Sequence, residues 1–165
     1  MKSRNILTAA AISMAALTLG PNAHAQMAGK LFFEGDTVRG HPQEGATGAT
    51  CVLNSQFKHK EEIVWRVRVL DPKTGEQVGK EGLKSLVVHL SSGEHVDMHF
   101  GTHPRKTPTD SFWAGSWQIP HDYPNGSFTY KVVATDLGGK QHEWTPFNVG
   151  LSRLTVIPGE ATFTK

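Results

Sequence analysis

Four histidines and one aspartate crowd the stretch Val87-Val88-His89-Leu90-Ser91-Ser92-Gly93-Glu94-His95-Val96-Asp97-Met98-His99-Phe100-Gly101-Thr102-His103. Imidazole and carboxylate are the usual nitrogen and oxygen ligands of Zn²⁺ and Cu²⁺. Their spacing matters as much as their type. If Ser91-Ser92-Gly93 forms a three-residue hairpin loop, Leu90 faces Glu94, His89 faces His95, Val88 faces Val96 and Val87 faces Asp97. Directly opposed residues hold their Cβ atoms about 5 Å apart. His89 and His95 then share an ion, with Asp97 or His99 completing the shell and His103 as a further candidate in the following loop. Strand alternation puts these groups on one face and Val88, Leu90, Val96, Met98 and Phe100 on the other. A second reading is a solvated polar face. His95, Asp97 and His99 extend roughly 13 Å along a strand at 3.3 Å per residue, too far for one ion to touch both ends. A two-residue turn would also break the His89–His95 pairing.

The other reactive residues point away from catalysis. Cys51 is the single cysteine, so no internal disulfide forms. A buried inert thiol is its favoured role, ahead of an intermolecular disulfide or a catalytic thiolate. A blue-copper site needs a cysteine near its histidines, and Cys51 lies far upstream of them. No Gly-x-Ser-x-Gly, His-Glu-x-x-His or phosphate-binding glycine motif occurs. Trp65 and Trp117 read as core. Trp113 reads first as core; alternatively it joins Phe112 and His103 in an exposed aromatic contact surface.

The elements that must position these groups are strands. Ile63, Trp65, Val67 and Val69 alternate with Val64, Arg66 and Arg68, followed by the turn Asp71-Pro72-Lys73-Thr74-Gly75. Trp113, Gly115, Trp117 and Ile119 form a second alternating run, and Phe128, Tyr130, Val132 and Ala134 a third. Asp136-Leu137-Gly138-Gly139 turns the chain into final strands at His142–Phe147 and Leu151–Ile157. A first strand is expected near Leu31–Phe33 and a second at Cys51–Leu53, with Gly35–Thr50 as a long loop between them. Short strands punctuated by turns predict an all-β sandwich or barrel.

Tyr123-Pro124-x-Gly126-x-Phe128-x-Tyr130-x-Val132-x-Ala134-Thr135-Asp136-x-Gly138 resembles the penultimate-strand region of bacterial immunoglobulin-like domains. The resemblance covers about residues 112 to 157. It implies an antiparallel β-sandwich of seven to nine strands, often a binding or spacer unit. The whole chain also resembles small exported bacterial proteins.

Residues 1–25 read as a signal peptide: Lys2 and Arg4, an apolar run from Ile6 to Leu19, and Ala23-His24-Ala25 before cleavage at Gln26. The sandwich domain is then 26–165. The leader holds two of the 17 basic residues and none of the 15 acidic ones, so the mature chain carries 17 − 2 = 15 of each. Nothing in that balance suggests a nucleic-acid binder, which would show a basic patch or stripe. No later segment reaches the roughly 20 apolar residues of a membrane span. The expectation is a non-enzymatic periplasmic accessory or interaction module. It would bind a partner protein or small ligand through the Gly35–Thr50 and Gly101–Asp110 loops. A histidine-based copper or zinc carrier is the alternative.

Overall fold

The computed structural model describes residues 30–40, 51–103, 107 and 109–161. The expected signal peptide and the segment 41–50 lie outside the described residues. Eleven strands occur among the described residues: β1 (Phe32–Arg39), β2 (Gln56–His59), β3 (Glu62–Leu70), β4 (Leu83–Leu90), β5 (His95–Asp97), β6 (His99–His103), β7 (Asp110–Gln118), β8 (Gly126–Phe128), β9 (Tyr130–Asp136), β10 (Gln141–Trp144) and β11 (Leu154–Glu160). The protein is therefore all-β, as the alternation predicts. Among the described residues no helix is long and apolar enough to cross a membrane.

Two four-stranded antiparallel sheets run in the orders β1-β3-β7-β6 and β10-β9-β4-β5. Both send side chains into one core. Ile63, Trp65, Val67 and Val69 enter from β3, Leu86, Val88 and Leu90 from β4, and Tyr130, Val132 and Ala134 from β9. The expected seven to nine strands account for these two sheets but not for the whole fold. β2, β11 and β8 form a third sheet, in which β11 runs parallel to β2 and antiparallel to β8.

Sheet changes explain the extra strands. The apparent hairpin Leu83–Phe100 is interrupted at Met98, where the chain leaves β4 and crosses to pair with β7. Thr129 does the same between β8, which pairs with β11, and β9, which pairs with β4 and β10. The crossing at Met98 brings β5 close beneath β7. A Cβ on Gly115 would lie 3.0 Å from the Asp97 carbonyl oxygen and 3.1 Å from the Met98 side chain. Only glycine fits there without moving backbone.

The N-terminal strands differ from expectation. β1 continues through Gly35 to Arg39 instead of ending at Phe33. Its far end is tied to the Cys51–Leu53 segment, with the Arg39 N–H donating to Val52 O (3.0 Å) and the Cys51 N–H to Arg39 O (2.8 Å). Cys51–Leu53 is not the expected strand, because Cys51 at φ +59° bends the chain out of the extended region. Only the isolated bridge Val38–Leu53 forms there. The strand expected at His142–Phe147 stops at Trp144, just before Pro146, which has no N–H to add to a ladder.

Candidate functional site

The histidine hairpin folds in the register its loop predicts. The Gly93 N–H donates to Leu90 O (3.0 Å), and the Leu90 N–H to Glu94 O (2.9 Å). Gly93 sits at φ +107°, a conformation that favours glycine. The Met98 N–H donates to Leu86 O at the far end (2.9 Å). Counting between these bonds makes His89 and His95 a non-hydrogen-bonded pair, the kind whose side chains approach most closely. Their ring centroids are 4.4 Å apart at an interplanar angle of 88°. His89 is half-buried and His95 exposed.

The loop is braced from outside. The Tyr123 hydroxyl donates to the Glu94 carboxylate (3.0 Å), and the Ser92 hydroxyl contacts both. Burial alone would raise the Glu94 pKa, but hydrogen bonds from Ser92, the backbone and Tyr123 outweigh it and hold the carboxyl below its ordinary value. Tyr123 is itself packed against Trp117 at 4.9 Å and Phe128 at 5.2 Å.

The surroundings of His89 favour its neutral ring. Lys131 of β9 stands opposite His89 and bonds Glu143 of β10 at 2.7 Å. Burial, the neighbouring His95 and the Lys131 ammonium push the His89 pKa below its usual value, partly offset by Glu143. A neutral ring is the ligating form.

The proposed third ligands are not gathered around this pair. Asp97 lies on the same exposed face, opposite Val87. His99 and His103 belong to β6 in the other sheet, opposite Ala114 and Asp110. The chain crossing at Met98 separates them from His89 and His95. Among the described residues, no three His, Cys, Asp or Glu side chains converge as a metal shell.

The aromatic surface is also divided. Trp113 is 4% exposed, packs on Phe100 at 5.6 Å and donates its indole N–H to Val78 O at 2.9 Å. It is core, the first of the two expected roles. Neighbouring residues of a strand point to opposite faces, so Phe112 faces outward, half-buried, with its ring 6.1 Å from that of His103. Trp65 is core as expected, whereas Trp117 is half-buried. Cys51 is exposed, correcting the expectation of a buried thiol.

Three groupings were not anticipated from the sequence. On the outer face of the first sheet, Arg66 makes a bidentate pair with Asp36, both bonds at 2.7 Å, and Arg68 pairs with Asp110. The visible signal was the alternation of Arg66 and Arg68 in β3. Next, Asp136 and His142 form a buried pair at 3.1 Å, with side chains 3% and 5% exposed. They lie diagonally across the turn between β9 and β10, on the inner face. Last, a cleft of about 350 Å³ is lined by Asp36, Thr37, Leu53, Asn54, Tyr130 and Pro146, among others. Burial and the Asp36 charge push the Tyr130 hydroxyl pKa up to about 12, so it stays a neutral donor there. Leu53 on its wall is 67% exposed. Phe147, next to Pro146, is 85% exposed, and Val149 is also exposed. No protein-family model, curated protein or solved structure matches the chain.

Proposed function

We propose that this chain is an exported, non-enzymatic binding module with an immunoglobulin-like sandwich, which holds a partner protein in the periplasm. Strand order supports the architecture. Lettering β1, β3, β4, β5, β6, β7, β9 and β10 as A, B, C, C′, D, E, F and G turns the two main sheets into A-B-E-D and G-F-C-C′. That is the order of immunoglobulin-type sandwiches, with C′ added to the second sheet.

The observation that carries the function is the exposure of Phe147. A phenylalanine with most of its surface in water, beside exposed Val149 and near the cleft wall formed by Leu53 and Pro146, is a natural anchor for an interface. The partner should offer an apolar pocket for the ring. Charged rims would add little affinity beside it. The binding surface therefore moves from the Gly35–Thr50 and Gly101–Asp110 loops expected from sequence to the β10–β11 connection. Much of the former pair is strand, as β1 and β6, or lies outside the described residues.

Immobilised protein exposed to periplasmic extract tests this reading. Wild type and a His89→Ala/His95→Ala variant should retain the same partner, and Phe147→Asp should lose it without a change in Tm. Equal retention by Phe147→Asp, or no retention by wild type, rejects the reading.

The His89–His95 geometry favours a second reading, binding of Zn²⁺ or Cu²⁺. Calorimetric titration should give heat with wild type and none with His89→Ala or His95→Ala. Binding should weaken in acid, and because His89 is held below the ordinary histidine value the loss should come below about 6.5. Undiminished binding by both variants would leave the histidines as solvated surface.

A further inference from the structure

We propose that two copies of this chain share one divalent ion, each supplying His89 and His95 across a twofold axis. The inference rests on the metal-binding reading and adds to it where the missing ligands come from. Each chain presents two imidazoles fixed side by side by the hairpin register, 4.4 Å between ring centroids. Zn²⁺ takes four ligands in a closed site. Among the described residues nothing else converges on the pair to supply the other two. An isologous contact repeats every group of the patch, so two imidazoles become four with no further residue required.

The position of the pair suits such a contact. β5 is an edge strand of only three residues, and His95 and Asp97 on it are exposed. The twofold axis would pass through the outer face of the second sheet near its β4–β5 edge, leaving the first sheet uncovered. Lys131 and Glu143, next to His89, pair with each other at 2.7 Å, so their charges are largely balanced before a second copy approaches. The same face lacks a large exposed apolar side chain among the described residues. Hydrophobic burial would therefore not hold the two copies together, and the ion would have to.

Sedimentation velocity of the purified, tag-free protein, run in EDTA and in Zn²⁺, tests the proposal together with calorimetric stoichiometry. The expected result is a monomer in EDTA and a dimer in Zn²⁺, with one ion for every two chains. His95→Ala should stay monomeric in Zn²⁺ while keeping the wild-type circular dichroism spectrum and Tm. A monomer that binds one ion per chain overturns the sharing but leaves the metal site standing. No binding at all overturns both. A dimer that forms in EDTA, or with His95→Ala, shows that the copies meet by another surface and likewise overturns the proposal.

Discussion

Replacing Trp65 with alanine should cost about 3–5 kcal/mol of stability, the range for removing a large aromatic from a packed core. Trp65 has no exposed surface. It stands between Thr37 of β1 and Gly115 of β7 in the first sheet and meets Tyr130 of the second edge-on at 6.0 Å. Its loss opens a void where the two sheets are pressed together. Trp65→Phe should behave differently. Among the described residues the indole Nε1 has no hydrogen-bond partner although it is buried. An unsatisfied buried donor costs about 1–3 kcal/mol, so exchanging indole for phenyl loses volume but also removes that penalty. The phenylalanine variant should lie much nearer wild type than the alanine variant. Urea unfolding at constant m reads both differences as shifts in midpoint. Equal destabilisation by the two substitutions would mean that the indole N–H is satisfied after all.

Asp136→Asn should lower Tm at neutral pH by several degrees and flatten the acid limb of the stability curve. Both carboxylate oxygens of Asp136 are occupied, one by His142 and one by the Lys140 N–H at 2.9 Å. The His142 hydrogen bond is the main reason that the carboxyl is held below its ordinary pKa; burial opposes it, and backbone N–H groups of Lys140 and Gly138 assist. A carboxyl with a depressed folded-state pKa stabilises the fold fully above its unfolded value, about 3.9. That stabilisation disappears as pH falls through the lower folded-state value. Wild type should therefore lose stability in acid that the asparagine variant never had. The two Tm curves should be furthest apart at neutral pH and draw together only in acid, below the unfolded value of about 3.9. Asp136→Ala should be worse than asparagine at every pH, because it leaves the His142 ring buried opposite a methyl group. Parallel curves for wild type and Asp136→Asn would show that the pair contributes nothing that depends on charge.

The hairpin register was legible because a three-residue loop ending in glycine specifies which residues oppose one another, and Ser91-Ser92-Gly93 is such a loop. The core face of β3 was legible for an equally local reason, its unbroken alternation from Ile63 to Val69. What escaped is non-local. Alternation continues through Met98 and through Thr129 while the hydrogen-bonding partner changes, so side-chain period carries no record of either crossing. That is why His99 looked like a ligand for an ion held by His89 and His95. β1 was hidden by its inward positions. Gly35 lies against the Trp144 ring, where a Cβ would come within 2.8 Å of ring carbons, so the strand has no apolar side chain there to mark the face turned to its neighbours. The Asp136–His142 pair was hidden by the turn that creates it. The two residues read as a turn signal and a strand start until the antiparallel register places them diagonally on one face.

The central place of β11 in the third sheet has a consequence for the order in which the chain acquires its structure. β2 and β8 are joined only through it. Lys60, just after β2, bonds Glu160 at the end of β11 across 100 residues of sequence. Closing so long a loop costs entropy before any contact repays it, and pairings of this separation belong to domains that fold in milliseconds to seconds. The β4–β5 and β9–β10 hairpins can form from neighbours already at hand, whereas β2 must wait for a strand about 100 residues further along. The last strand thus acts as a latch, and the time for which β2 and β8 stand without it is the interval in which a half-made chain is most open to wrong strand partners.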